Sequence, residues 1–98
     1  MRTPVSLGDR ILSCRLLLGI AGASVGRTTQ TDLALAVTGV LAGRQRDVTP
    51  LSKVTVSRWE SGKTEPCLAT IGAIAEVFEC EASWLAFGTG TNPLDSAR

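Results

Sequence analysis

The chain has 98 residues, of which 44% are apolar and 19% are charged, and its formal net charge is +1. This length and composition predict one globular domain, because a chain of this size can bury about two thirds of its unfolded surface in a single core. The sequence has no histidine and three cysteines without a CxxC spacing, which argues against a zinc site and against histidine-based catalysis.

The apolar residues nowhere run for the roughly 18 positions that a membrane span requires, and the first residues do not resemble a secretory signal. We therefore expect a cytoplasmic protein with no membrane partner. The charge is unevenly distributed, since residues 44–63 hold five basic and two acidic residues whereas residues 66–98 are net acidic. This pattern is typical of a molecule that presents one face to a polyanion, although ordinary solvated charge explains it equally well.

Capping patterns mark the starts of the first two predicted helices. Ser6 precedes Asp9 by three residues, and residues 7–18 follow with helical apolar spacing at Leu7, Ile11, Cys14 and Leu18. The glycine-rich residues 20–27 then predict a loop.

Thr29 and Asp32 repeat the capping pattern before a second predicted helix, whose inward residues are Leu33, Ala34, Val37 and Val40. We expect this helix to end near Gly39, and residues 41–51, with Gly43, three charges and Pro50, to form a connecting loop.

Three further helices are predicted in the second half of the chain. Ser52 caps a third helix that ends at Ser61, before Gly62 in a left-handed position, with Val56 and Trp59 facing inward. A fourth helix covers residues 68–78, after a poor cap at Cys67, and its inward residues are Leu68, Ile71, Ile74, Ala75 and Phe78. A last short helix carries Trp84, Leu85 and Phe87 and ends at Gly88. The prediction is an all-α, compact five-helix domain over residues 1–88, followed by a flexible tail over residues 89–98.

The outward face of the third helix carries the functional argument. A helix that reads duplex DNA must fit the major groove, place side chains near its N-terminus on base edges, and have flanking groups that hold phosphates. Arg58 can bind guanine with two hydrogen bonds, and Lys53 can reach guanine or a phosphate. The remaining candidates for DNA contact on this helix and at its cap are Ser52, Val54, Thr55 and Ser57. Gln30, at the start of the second helix, and Lys63, just after the third, are candidate phosphate contacts.

At four places the sequence resembles the lambda-repressor and Cro-like (XRE-type) helix-turn-helix family. The strings are LGDRI at residues 7–11 with Arg15, TQTDLA at 29–34, TVSRWESGK at 55–63 with Pro66, and Trp84-Leu85 with Gly88. The resemblance implies a five-helix domain that acts as a dimer on a palindromic operator, with the third helix in the major groove. It implies that Gln30 is similar to the family's phosphate-holding glutamine, that Lys53, Val54, Thr55 and Arg58 face the groove, and that Lys63 contacts the DNA backbone.

The sequence departs from the family pattern in its connections. About eight residues, 20–27, are inserted between the first two helices, and about eleven, 41–51, replace the tight turn that sets the angle between the second and third helices. Packing of Val37, Val56 and Trp59 can restore that angle. Arg44 and Arg46 in the second insertion either reach the DNA backbone or are simply solvated.

Several other residues have an ordinary structural interpretation beside a functional one. Trp59 and Trp84 are expected in the core rather than as base-stacking platforms, and Glu60 is expected to pair with Arg10, Arg15 or Lys63 rather than to act as an acid. Cys14 and Cys80 are interpreted as buried small apolar residues, with a redox switch as the alternative. Residues 22–28 lack the lysine and the glycine spacing of a phosphate-binding loop, so nucleotide binding is not expected.

We interpret the protein as a sequence-specific regulator of transcription that binds double-stranded DNA, most simply a homodimeric repressor, with no enzymatic activity, no cofactor, no metal and no small-molecule ligand. The alternative is an antitoxin-like or adaptor module whose main partner is another protein. An exposed apolar patch around Leu85, Phe87 and Leu94 would favour that alternative.

Overall fold

A computed structural model describes residues 6–19, 28–45 and 47–96, and within these ranges the chain is helical and contains no β-strand. The helices are α1 (Leu7–Leu17), α2 (Gln30–Arg44), α3 (Lys53–Ser61), α4 (Leu68–Phe78) and α5 (Ala82–Phe87), and a 3-10 helix follows at Pro93–Ser96. The predicted all-α, five-helix fold is confirmed. The loop predicted at 20–27, most of the segment 22–28 and Arg46 lie outside the described residues.

The helix starts follow from local hydrogen bonds. Ser6 accepts a hydrogen bond from the amide of Asp9 at the start of α1. At the start of α2, Thr29 and Asp32 form a complete capping box, in which each side chain accepts from the other residue's amide at 3.0 Å. These bonds satisfy amides that the helix itself leaves without partners, so the predicted starts are confirmed. Cys67 makes no side-chain capping bond, as expected.

The core lies where the helices meet. α2 packs against α3 and α4, and α1 packs against α3, α4 and α5. The buried apolar residues include predicted inward residues from each of the five helices: Ile11, Cys14, Leu33, Val37, Val56, Trp59, Ile74, Phe78, Trp84 and Leu85. Leu7, Leu18 and Val40, also predicted to face inward, are partly buried against this core. The helical periodicity therefore identified most of the core, and both tryptophans are core residues.

The prediction that the second helix ends near Gly39 is wrong, because α2 continues to Arg44. Leu41 is buried in the core and accepts a hydrogen bond from the amide of Gln45 at 2.9 Å, so tertiary packing carries the helix past both glycines. The connection to α3 is therefore residues 45–52 rather than 41–51.

Two other positions differ from the sequence prediction. Leu68, predicted to face inward, is 79% exposed, because it is the first residue of α4 and the buried part of that helix begins at Thr70. Beyond Gly88, a 3-10 helix at Pro93–Ser96 places Leu94 against the core, within the segment that the sequence predicts to be a tail. The flexibility of this tail stays a prediction. None of the described helices is long and apolar enough to cross a membrane.

Candidate nucleic-acid interface

The surface of α3 divides into a buried face and an exposed face. Val56 and Trp59 point into the core, whereas the outward residues are exposed: Lys53, Val54, Ser57 and Arg58, with Thr55 half-buried beside them. Val54 is an apolar side chain that is 55% exposed, so its methyl groups are free to meet an apolar partner. The sequence-predicted candidates on this helix therefore share one accessible surface, which we call the α3 face.

Ser52 has a structural task at the N-terminus of α3. Its hydroxyl accepts a hydrogen bond from the amide of Thr55 at 3.4 Å and lies at the same distance from the Thr55 hydroxyl. This cap holds the first turn of α3, from which Lys53 and Val54 project. Ser52 is exposed, so its hydroxyl remains accessible from solvent.

Lys63 lies just beyond the other end of α3. Gly62 adopts a left-handed conformation with φ of 81°, and the amides of Lys63 and Thr64 both donate to the carbonyl of Arg58, at 3.0 and 3.3 Å. A left-handed residue at this position favours glycine, and the bonds fix the direction in which the chain leaves the helix. The exposed side chain of Lys63 is thereby placed next to the end of the α3 face.

Glu60 connects α3 to two other parts of the structure. Arg15 of α1 donates to its carboxylate through two nitrogens, Nε to Oε2 at 2.6 Å and Nη2 to Oε1 at 3.0 Å. The amide nitrogen of Gln30, at the start of α2, donates to Oε1 at 2.9 Å. Of the three partners that the sequence offered for Glu60, the structure selects Arg15.

A third nitrogen of Arg15 completes this network. Nη1 donates to the carbonyl of Thr28, just before α2, at 2.9 Å. The side chains of Arg15 and Glu60 are only 10% and 5% exposed, so the pair is buried, and its two parallel bonds fix both position and orientation. We call Arg15, Thr28, Gln30 and Glu60 the polar clamp. It joins α1, the N-terminus of α2 and the last turn of α3.

Gln30 is therefore a partner of Glu60, a contact that the sequence did not predict. An amide nitrogen carries two hydrogens, and Glu60 uses one of them. The side chain is half-buried at the first residue of α2, where the helix leaves its first backbone amides without intrahelical acceptors. The clamp thus holds Gln30 in position at a helix end that favours anions.

Thr38 of α2 holds the end of the connection between α2 and α3. The hydroxyl of Thr38 donates to the carbonyl of Ala34 at 2.7 Å and accepts a hydrogen bond from the amide of Leu51 at 2.9 Å. Leu51 and Val48 are half-buried and pack against the core. These contacts hold the chain just before Ser52. No signal in the sequence singled out Thr38.

Arg44 has a different place from the predicted one. It lies in the last turn of α2 rather than in a loop, and its guanidinium pairs with the carboxylate of Glu76 in α4. A cation at the C-terminal end of a helix is also favoured by the helix dipole. Both side chains are about half exposed, so this pair is a surface contact between two helices.

Arg10 fastens α1 to the end of α5. Its guanidinium is buried and donates to two backbone carbonyls, from Nε to that of Leu85 at 2.7 Å and from Nη2 to that of Ala86 at 2.9 Å. Burial lowers the pKa of Arg10 from its usual value, and the neighbouring carboxylate of Asp9 opposes this effect. Gly88, with φ of 77°, then ends α5 as predicted.

Comparison with known proteins agrees with this arrangement. Residues 48–85 match the helix-turn-helix family model, a segment that contains α3 and α4 but begins after α2. The chain is also 40% identical over 38 residues to the HTH-type transcriptional regulator DicA of Escherichia coli (strain K12), an alignment that covers 39% of this chain and 28% of DicA. The chain therefore aligns with less than a third of that relative. No solved structure matches the chain significantly.

Within the described residues, no group of three or more histidine, cysteine, aspartate or glutamate side chains is placed to hold a metal ion. The family match falls on α3, which carries the exposed α3 face, and on α4, which packs against α2. Five helices with this order and packing also agree with a lambda-repressor-like fold. Residues 48–85 are therefore similar to the helix-turn-helix family.

Proposed function

We propose that this protein regulates transcription by binding double-stranded DNA, as a homodimeric repressor that inserts α3 into the major groove of a palindromic operator. The observation that carries the proposal is the α3 face, where Lys53, Val54, Ser57 and Arg58 are exposed together on a helix of the matched family segment. A helix of this kind can enter the major groove, and its side chains can then reach base edges. The protein would act in the cytoplasm, on the DNA that it regulates.

The residues have different roles in this proposal. Arg58 binds guanine through two parallel hydrogen bonds, Lys53 and Ser57 reach base edges or nearby phosphates, and Val54 meets a thymine methyl group. Thr55, half-buried next to them, contributes its methyl group or hydroxyl at the margin of the α3 face. Direct base contacts give sequence discrimination, whereas contacts to phosphates give affinity alone.

Phosphate contacts flank the α3 face. Lys63 lies beyond the C-terminal end of α3, and Gln30, a member of the polar clamp, lies with the first amides of α2 at the N-terminus of that helix. Ser52, at the cap of α3, is the third candidate. In a dimer on adjacent half-sites, the two α3 helices would be about 34 Å apart, which is one turn of DNA.

The protein-binding alternative has less support. It required an apolar patch around Leu85, Phe87 and Leu94, but Leu85 is fully buried and Leu94 packs against the core. Phe87 is 74% exposed, yet one exposed aromatic side chain is common on a protein surface.

The test is selection of duplexes from a random pool, followed by fluorescence-anisotropy titrations of the selected duplex and a scrambled one. Arg58→Ala should weaken binding to the selected duplex by about 1–3 kcal/mol, roughly 5- to 150-fold in Kd, with little effect on the scrambled one. Lys63→Ala should weaken both duplexes alike and reduce the slope of log K against log salt by about 1.

Arg44→Ala is the matched control, because it removes the same charge from a guanidinium that pairs with Glu76 instead of lying on the α3 face. It should leave the preference between the two duplexes unchanged. If selection enriches no sequence while the protein remains folded, or if Arg44→Ala and Arg58→Ala have equal effects, α3 is not the reading helix. Sedimentation of the complex measures whether two chains bind one duplex.

A further inference from the structure

The N-terminal end of α3 is tied to α2 through the hydroxyl of Thr38. This half-buried side chain lies in the interior of α2, 13 residues before Leu51. Its hydroxyl donates to the carbonyl of Ala34 at 2.7 Å and accepts a hydrogen bond from the amide of Leu51 at 2.9 Å. A hydroxyl has one hydrogen to donate, so the bond to Ala34 leaves the oxygen lone pairs free to face the Leu51 amide.

Leu51 stands immediately before α3, so its amide is a fixed point at the start of that helix. The next residue, Ser52, is the N-cap, and its carbonyl accepts a hydrogen bond from the amide of Val56 at 3.2 Å. Lys53, the first residue of α3, is then two residues beyond the bond to Thr38. The side chain of Leu51 is half-buried against the core, so both its backbone and its side chain are held.

We infer that Thr38 is a positioning residue for DNA recognition, a role that rests on the proposed function above. Its hydroxyl fixes the first turn of α3 and thereby places Lys53 and Val54, which project from that turn, against the base edges. Thr38 itself makes no contact with DNA. It acts through the backbone of Leu51.

The polar clamp holds the opposite end of α3, which explains why the first turn needs its own attachment. Glu60 follows Lys53 by seven residues, a rise of about 10 Å along the helix. With Glu60 fixed to Arg15, a tilt of about 5° would move the backbone at Lys53 by roughly 0.9 Å. A binding site needs its contact groups held to within about 0.5 Å. The bond between Thr38 and Leu51 restrains this tilt at the end where it would be largest.

The test compares Thr38→Val, Thr38→Ala and Thr38→Ser in fluorescence-anisotropy titrations of the selected and the scrambled duplex. Thr38→Val and Thr38→Ala lack the hydroxyl and should weaken binding of the selected duplex about 5- to 20-fold, the lower part of the range for loss of one base contact. Binding of the scrambled duplex depends on phosphate contacts and should change by less than about 2-fold. Thr38→Ser retains the hydroxyl and should bind both duplexes as the wild-type protein does.

Two controls separate positioning from stability. Alanine is the better helix former, so Thr38→Ala offsets part of any loss of stability in α2 while still lacking the bond to Leu51. Thr70→Val makes the same change at a buried threonine of α4, a helix that packs against α2 and α5. It should leave the ratio of the two affinities unchanged. Urea unfolding verifies that each variant is folded before binding is measured.

Amide hydrogen exchange measures the positioning without DNA. Thr38→Val should accelerate exchange at Leu51 and at Val56, in the first turns of α3, whereas Thr38→Ser and Thr70→Val should leave both rates close to those of the wild-type protein.

Failure of the proposed function and failure of the role of Thr38 give different results. If the wild-type protein does not prefer the selected duplex, the proposed function fails and the role of Thr38 in it falls as well. If the wild-type protein has the preference, three results overturn the role of Thr38 alone: full preference in Thr38→Val and Thr38→Ala, an equal loss in Thr38→Ser, or an equal loss in Thr70→Val.

Discussion

Removal of the Glu60 carboxylate should destabilise the protein more than removal of any exposed charge. Glu60→Leu leaves the guanidinium of Arg15 with the Thr28 carbonyl as its remaining acceptor in the clamp, in a site where the side chain is only 10% exposed. Breaking one side of a buried ion pair costs about 3–5 kcal/mol. A domain of this size is stable by only about 5–15 kcal/mol, so much of the total free energy of unfolding would be lost.

A double-mutant cycle separates the interaction from the other effects of each substitution. Arg15→Met and Glu60→Leu should each destabilise strongly, and Arg15→Met/Glu60→Leu should cost far less than their sum, since it leaves neither charge unpaired. We expect a coupling free energy of about 2 kcal/mol or more. Urea unfolding monitored by the fluorescence of the buried tryptophans, Trp59 and Trp84, measures each corner of the cycle.

The pair formed by Arg44 and Glu76 is the control for this cycle. Its side chains are 50% and 54% exposed, and exposed pairs contribute about 0.2–1 kcal/mol. High salt should reduce this coupling while leaving that of the buried pair nearly intact. If the coupling of Arg15 with Glu60 is no larger than that of the control pair, the polar clamp does not hold α1 and α3 together.

Two further predictions concern packing and capping. Gly8→Ala should lower the free energy of unfolding by at least about 1–3 kcal/mol, because a Cβ at Gly8 would lie 2.4 Å from the carbonyl oxygen of Trp59. Gly39→Ala should instead raise the free energy of unfolding by about 0.5–1 kcal/mol, because nothing lies within 4 Å of the added Cβ and alanine is the better helix former. Equal urea midpoints for the two variants would contradict this difference in packing. Thr29→Ala should cost about 0.5–2 kcal/mol through loss of the bond to the Asp32 amide, and hydrogen exchange in the first turn of α2 should accelerate while that of α4 does not.

The features predicted correctly from the sequence are those that depend on nearby residues. The cap at Thr29 and the inward pair Val56 and Trp59 follow from spacings of three residues, and the structure has both. The α3 face follows from the same periodicity, because an outward face is what remains when the inward residues are known. Its contact with DNA stays a prediction.

The features that were missed depend on contacts between distant segments. α2 continues past Gly39 because the burial of Leu41 offsets the low helix propensity of glycine. That burial depends on tertiary packing, which propensity and spacing do not predict. The sequence offered three basic partners for Glu60, but only the packing of α1 against α3 selects Arg15 and adds Gln30. Thr38 was missed for the same reason, since its partner Leu51 lies in the connection.

The long connection between α2 and α3 does not by itself loosen the angle between these helices. Residues 45–52 span eight residues, and doubling a four-residue turn to this length costs only about 0.6 kcal/mol of loop-closure entropy. That cost is smaller than the roughly 3–5 kcal/mol of stability that is lost when one partner of a buried ion pair, such as Arg15 with Glu60, is removed.

The orientation of α3 is therefore set by contacts along its length rather than by the turn that precedes it. Val56 and Trp59 fix one side against the core, and Glu60 fixes the last turn through Arg15 and Gln30. The clamp holds these helices although the connection between α2 and α3 is eight residues long. Because the clamp also holds the N-terminus of α2, any substitution that loosens Glu60 should disturb the α3 face and the proposed phosphate contact at Gln30 together.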